Sequence, residues 1–429
     1  MTMSFRENTE QVLARIADPQ GEGARSCLTI YPDSARAAAD AADARARDGR
    51  LLGPLDGAVI TIKDLFDVEG EITRAGSAML AKRGKPAAAD APVVKRLREA
   101  GAVIVAKTNM TEFAFSGVGA NPHFGTPGNP ADRKRSPGGS SSGGAVACAD
   151  GIGEIAIGTD TGGSTRIPAA LCGLVGYKPT ARRISRDGAY PLSFTLDSIG
   201  PMAHRVADCF RADAVMAGEP PSELRPASLA ELRIGLPQNM VLDSLDQTVG
   251  PAIEKALSKL SAAKCATMTL DCLAVMNGVN ERGGIAPPEA YAIHRTLLAE
   301  DGAGVDPFVH ARIMRAADLS AADYIQSLRD REAGIRHMDA VFADFDVLAL
   351  PTTPIVAPTM EEVSTPDGFA KRNALLLRNT AIANFFDLCA ITLPLKFGNE
   401  LPCGLMLFAR HGDDRRLFQA AAAVENALN

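Results

Sequence analysis

Apolar residues along this chain fall into short runs whose spacing switches between helical and strand-like. Phe5, Val12, Leu13 and Ile16 stand at roughly helical intervals, and Asp18-Pro19-Gln20-Gly21 ends that segment in a loop. Residues 33–48 predict an alanine-rich helix, capped by Asp33 or Ser34 and closed by Gly49. After the turn Gly53-Pro54-Leu55-Asp56-Gly57, the run Ala58-Val59-Ile60-Thr61-Ile62 predicts a buried strand that ends abruptly in Lys63-Asp64. A helix over 92–100, with proline in its first turn and Gly101 behind it, leads into a second apolar strand over 102–106. Strand, helix, strand in that order predicts parallel pairing through a right-handed crossover.

Further on, Ile155-Ala156-Ile157 is strand-like, and 171–176 is a small apolar run that Tyr177-Lys178-Pro179-Thr180 breaks. Residues 206–216 and 249–263 read as helices, 220–226 as a polar link, 233–236 as the start of a strand, and 285–345 as mostly helical. Strands over 346–350 and 390–394 precede an apolar segment, 404–408, and a helix over 414–428. Strands and helices mix throughout, which predicts an α/β class. The chain reads as one domain over 1–429, with a core over about 57–205 and a helical excursion over about 215–345.

Composition removes several function classes. The 429 residues are 46% hydrophobic and 22% charged, a globular balance with enough chain for a large core. A formal charge of −6 gives no basic footprint for nucleic acid, and Arg133-Lys134-Arg135 reads as a solvated loop. No apolar run reaches the length of a membrane helix, the N-terminal stretch has no apolar signal core, and there is no tryptophan for an interfacial belt. The eight cysteines are dispersed, without CxxC or zinc-like spacing, and predict small core residues in a reducing cytoplasm. No metal, cofactor, membrane or nucleic-acid partner is expected; the partner is a small molecule, with a homodimer left open.

The candidate chemistry lies between Ser136 and Pro168. Two glycine-serine clusters, 138–144 and 158–164, flank the apolar strand-like segment, and an apolar interruption of this kind is not a flexible linker. Gly139-Ser140-Ser141-Ser142-Gly143 matches a G-x-S-x-G elbow on Ser141, but the residues before it are charged and proline-broken where an elbow needs a strand. Ser261-Ala262-Ala263-Lys264 matches S-x-x-K, but it ends an amphipathic helix and lacks the companion motifs. The second cluster suits a nucleophile better. Thr161-Gly162-Gly163 follows a strand and offers consecutive N–H groups for an oxyanion hole, with Ser164 beside them and a helix beginning near Ile167. Anion capture in the same glycine-rich loop is the binding-module alternative. Lys63 reads either as a lysine snorkelling from a strand end or as a desolvated base.

These motifs resemble the amidase signature hydrolases. The resemblance is carried by Gly57-Ala58-Val59-Ile60-Thr61-Ile62-Lys63-Asp64, by Ser136-Pro137-Gly138-Gly139-Ser140-Ser141-Ser142-Gly143, and by the run from Gly158 to Ala169. It continues in Gly176-Tyr177-Lys178-Pro179-Thr180, Leu196-Asp197-Ser198-Ile199-Gly200-Pro201-Met202, Glu289-Ala290-Tyr291 with His294, Ala322-Asp323-Tyr324, and the run from Phe345 to Pro354. It implies the amidase signature fold, a mixed and mostly parallel central sheet surrounded by helices. It also implies a Ser–cis-Ser–Lys triad with Ser164 as nucleophile, Ser140 as bridging serine after a cis peptide bond, and Lys63 as base. The oxyanion hole would be Thr161, Gly162, Gly163 and Ser164. Ser141 and Ser142 would bond Lys63 or line the site. Asp160 and Arg166 would order the loop as a pair, with Arg166 alternatively reaching a substrate carboxylate.

The implied activity is hydrolysis of the C–N bond of a small linear amide through a serine acyl-enzyme. Arg166, Arg182, Arg183 and Arg186 suggest a carboxylate-bearing or ureido amide. Arg182 stands where many members have glycine. The chain is short for the family and lacks an N-terminal membrane segment and a long C-terminal domain, an expectation against a membrane-bound lipid amidase and a two-domain allophanate hydrolase; a stand-alone amidase is the leading expectation. The alternatives are the glutamine-hydrolysing subunit of a tRNA-dependent amidotransferase and, in another class, a catalytically silent scaffold on the same fold.

Overall fold

Continuous apolar runs on both sides of Lys63 become the buried centre of a large sheet. The computed structural model describes residues 3–429. Its strands are β1 (Cys27–Ile30), β2 (Val59–Lys63), β3 (Val103–Thr108), β4 (Ile155–Asp160), β5 (Val175–Lys178) and β6 (Ser198–Ala203), then β7 (Arg233–Pro237), β8 (Lys264–Met268), β9 (Val347–Pro351), β10 (Cys389–Leu395) and β11 (Cys403–Ala409). They form one 11-stranded sheet in the order β1-β3-β2-β4-β6-β5-β10-β11-β9-β7-β8. Every residue of β2, β3 and β4 is buried, which is why these strands read as unbroken apolar runs rather than as alternating ones.

The expected β2–helix–β3 unit forms, with the helix at Pro92–Glu99 and β2 parallel to β3. The expectation of a mostly parallel sheet does not hold. Four neighbouring pairs are parallel, and six are antiparallel. Hydrophobic spacing reports the type of an element and not its direction. The short β10–β11 connection allows only antiparallel return, and that hairpin sits between β5 and β9.

Other departures are local. The helix Pro32–Arg47 begins one residue early, with Pro32 in its first turn and Tyr31 at its cap rather than Asp33 or Ser34. Tyr177 and Lys178 continue β5 instead of breaking it. β8 is mostly exposed at the sheet edge, so no apolar alternation marks it, and Lys264 of the S-x-x-K match begins it. The excursion over 215–345 therefore carries two strands, β7 and β8, before its helices Leu273–Glu281, Ala286–Asp301, Pro307–Met314 and Ala321–Val341. Glu289 ties these helices to the loop before β6. It accepts hydrogen bonds from Ser193 Oγ, Thr195 Oγ1 and Tyr324 Oη.

The helix Ser142–Ala149 packs against β2 and β4 and is buried almost throughout. Gly143 is pressed onto the chain at Asn109: its N–H donates to Asn109 O at 3.0 Å, and a Cβ there would lie 2.6 Å from both Asn109 N and Ser26 O. Helix propensity alone would make Gly143→Ala stabilising by about 1 kcal/mol. The backbone clash reverses the sign, so we expect a net loss of at least about 1–3 kcal/mol, measured as a lower urea midpoint.

Candidate active site

Parallel neighbours bring the C-terminal ends of β2, β3 and β4 to one edge of the sheet. Lys63 ends β2, and Thr159 and Asp160 end β4. This is where an open α/β sheet exposes functional groups. Lys63 is fully buried, with Nζ 2.8 Å from Ser140 Oγ and 3.0 Å from Thr159 Oγ1. Burial pushes its pKa down to about 7, against the opposing pull of Asp160 and Asp197. The snorkelling alternative is removed, because the amine points inward and has no exposure.

Ser140 follows a cis Gly139–Ser140 peptide bond. Its carbonyl accepts from Thr111 N at 3.0 Å, and the next residue, Ser141, donates its N–H to Ser164 O at 3.3 Å. The two serine clusters, remote in sequence, are thus joined by backbone. Ser164 lies between β4 and the helix Arg166–Cys172 and is 4% exposed. It lines a cavity of about 450 Å³ together with Thr161, Gly162 and Ser116.

The expected oxyanion cradle is narrowed. Gly163 N donates to Asp160 Oδ1 at 2.8 Å, so that N–H is already committed. Gly163 also has φ +135° and leaves no room for a side chain beside Thr380. Thr380 Oγ1 donates to Gly162 O at 2.6 Å and pins the loop to the helix Pro366–Phe385. Thr161 Oγ1 donates to Asp197, which also accepts from the N–H groups of Leu192 and Ser193. Thr161 faces two cavities, the one at Ser164 and a second of about 400 Å³ that reaches Thr159.

Asp160 and Arg166 form a wholly buried ion pair at 2.9 Å. Asp160 further accepts from Thr165 N, Thr165 Oγ1 and Asn384 Nδ2. Burial alone would raise its carboxyl, but the Arg166 guanidinium outweighs that and holds it well below the usual carboxylate range. Arg166 also donates to Asn384 Oδ1 and does not line the cavity at Ser164. This geometry places the pair where it orders the loop and keeps the Arg166 guanidinium away from the cavity wall.

Two further expectations are corrected. Ser141 and Ser142 do not bond Lys63: Ser141 Oγ donates to Thr159 O at 3.5 Å, and Ser142 Oγ is buried without a partner. Thr159 takes that place, a residue no motif singled out because only the packing of β2 on β4 turns it toward Lys63. Arg183 pairs with Asp213 and Glu219, while Arg182 and Arg186 line the second cavity, so none of these arginines reaches the cavity of Ser164. That cavity instead contains Arg312, Arg315 and Arg378. Arg378 alone carried a sequence signal, an arginine with no acid close by in the chain, in Leu375-Leu376-Leu377-Arg378. Among the described residues no cluster of three or more His, Cys, Asp or Glu forms a metal site, and no helix is long and apolar enough to cross a membrane.

Removing one partner of a buried pair leaves an uncompensated charge, so Arg166→Met should cost about 3–5 kcal/mol of unfolding free energy in urea. An unchanged midpoint with a raised KM would return Arg166 to substrate binding.

Residues 7–418 match the family model described as Amidase. A 2-amino-5-chloromuconic acid deaminase of Comamonas testosteroni is 35% identical over 402 residues, covering 91% of this chain and 86% of its own length. A glutamyl-tRNA(Gln) amidotransferase subunit of Anaeromyxobacter dehalogenans is 36% identical over 467 residues, covering 99% of this chain and 93% of its own. A solved structure described as an amidase superposes with a TM-score of 0.88 at 32% identity, covering 100% of this chain and 97% of that one. The match to the family model across nearly the whole chain, with these relatives and this fold, makes the chain a member of the amidase (amidase signature) family.

Proposed function

We propose that this amidase cleaves small linear amides through an acyl-enzyme on Ser164, with Ser140 as the proton relay and Lys63 as the base. The observation that carries the proposal is the fully buried Lys63 amine, 2.8 Å from Ser140 Oγ, with its pKa brought down to about 7. A neutral amine in contact with a hydroxyl is a competent proton acceptor at physiological pH. No hydrogen bond to Ser164 Oγ is present among the described residues, so its proton transfer to Ser140 is made when substrate fills the cavity.

In the first half-reaction Ser164 Oγ bonds to the amide carbon as its proton passes to Ser140 and the Ser140 proton passes to Lys63. The oxyanion lies against the N–H groups of Thr161, Gly162 and Ser164, since that of Gly163 is committed to Asp160. The C–N bond breaks as the relay returns a proton to the leaving nitrogen. Water then attacks the ester carbon through the same relay and releases the carboxylic acid and Ser164. Thr159 fixes the Lys63 amine from the other side, and Asp197 holds Thr161. The residues use no cofactor in this scheme.

The relatives named as glutamyl-tRNA(Gln) amidotransferase subunits favour a second reading, a glutamine-hydrolysing subunit that passes ammonia to a partner. Turnover of simple amides by the purified chain without tRNA or ATP decides for the stand-alone amidase. A silent scaffold is excluded by any turnover that Ser164→Ala removes.

Ser164→Ala should lower kcat/KM by at least about 10³-fold, and Ser140→Ala by about 10²–10⁴-fold. Because Lys63 acts in its neutral form, kcat/KM should rise about tenfold per pH unit below pH 7 and level off above it. A profile flat from pH 5 to 9 would remove Lys63 as the base.

A further inference from the structure

Charge in the Ser164 cavity is one-sided. Arg312, Arg315 and Arg378 line it, and no Asp or Glu does. The three come from two helices, Arg312 and Arg315 at the end of the helix Pro307–Met314 and Arg378 from the helix Pro366–Phe385. Arginines elsewhere in the protein are largely matched to carboxylates, including those at 166 and 183.

Among the described residues these three form no salt bridge, and Asp243 acts on Arg378 only from beyond ion-pair distance. Arg312 lies over the Phe115 ring at 4.5 Å, and its Nε is buried with no hydrogen-bond partner. Burial, with Arg315 close by, pushes Arg312 down to about 10, far below an ordinary guanidinium. Arg378 spends one donor on Asn379 Oδ1 and one on Val241 O, which leaves three of its five N–H donors open. A partly buried guanidinium without a counter-charge is costly, and an anion in the same cavity relieves that cost.

The remaining wall is largely apolar. Leu192, Leu196, Met240, Met276, Leu377 and Phe385 contribute hydrocarbon surface alongside the purely cationic charged lining. At about 450 Å³ the cavity falls at the lower end of the range for small-molecule sites, about 300–1,000 Å³.

We propose that Arg312, Arg315 and Arg378 form a carboxylate subsite, and that the substrates are amic acids, molecules with an amide at one end, a hydrocarbon spacer, and a carboxylate at the other. This rests on Ser164 being the nucleophile, because that residue fixes which end of the cavity holds the amide. Guanidinium binds the carboxylate in bidentate fashion, the apolar wall takes the spacer, and the amide carbon meets Ser164 Oγ. Water supplies the oxygen, and cleavage yields ammonia and a dicarboxylate.

Matched pairs test it: glutaramate against valeramide, and adipamate against hexanamide. The carboxylated member should have the higher kcat/KM by about 10–100-fold. Arg315 is exposed and Arg378 half-buried, so Arg315→Gln and Arg378→Gln are compatible with folding. Each should lower that ratio about tenfold. A ratio near one in the unsubstituted protein, or one that neither substitution moves, overturns the subsite.

Calorimetric titration of glutarate into Ser164→Ala protein separates this proposal from the mechanism it rests on. Binding that weakens about tenfold when Arg378→Gln is added supports the subsite. If Ser164→Ala still turns over amides while glutarate binds through the arginines, the nucleophile is wrong and the subsite stands. If Ser164→Ala is inactive and glutarate does not bind, the nucleophile stands and the subsite is wrong.

Discussion

The site depends on keeping an amine out of water at the end of β2. Bringing Lys63 from its ordinary pKa of 10.5 to about 7 disfavours the ammonium by roughly 5 kcal/mol. Only burial on all sides supplies a term of that size, and the strands on either side of β2 provide it. Asp160 is close enough to oppose the shift. Asp160 stays ionised in its pair with Arg166, so desolvation has to outweigh its pull, and the ion pair orders the loop.

The same carboxylate organises the turn that carries Ser164. Asp160 accepts from Gly163 N, Thr165 N and Asn384 Nδ2, which leaves the backbone from Thr161 to Ser164 little freedom. Thr380 and Asp197 hold the turn from its two sides. A fixed array of N–H groups is what an oxyanion site needs, because donors already in place need no reorganisation as charge develops.

The helices after β8 give this chemistry its enclosure. Glu289 binds them to the loop before β6, and the helices Pro307–Met314 and Pro366–Phe385 bring guanidinium groups into the cavity where Ser164 lies. Sheet edge and helical cover thus contribute different parts: the sheet holds Lys63 against Ser140, and the cover closes the cavity at Ser164.

Much of the core was legible because local rules apply there. Buried central strands read as apolar runs, Gly49 and Gly101 mark helix ends, and a lysine closing such a run is conspicuous. Lys63, Ser140 and Ser164 stood out through motifs that are long and ordered, and the structure brings their segments together. Strand direction beyond the β2–β3 unit, the part played by Thr159, the commitment of the Gly163 N–H and the place of Arg312, Arg315 and Arg378 were not legible. Each depends on which segments meet in space, and residue spacing carries no information about partners far away in the chain. The sequence by itself determined most of the buried central elements, the class and the candidate reactive groups, but not β1, β6, β8 or the helix Pro366–Phe385. Only the tertiary structure decided the protonation of Lys63, since desolvation comes from atoms packed around it and not from its neighbours in the chain.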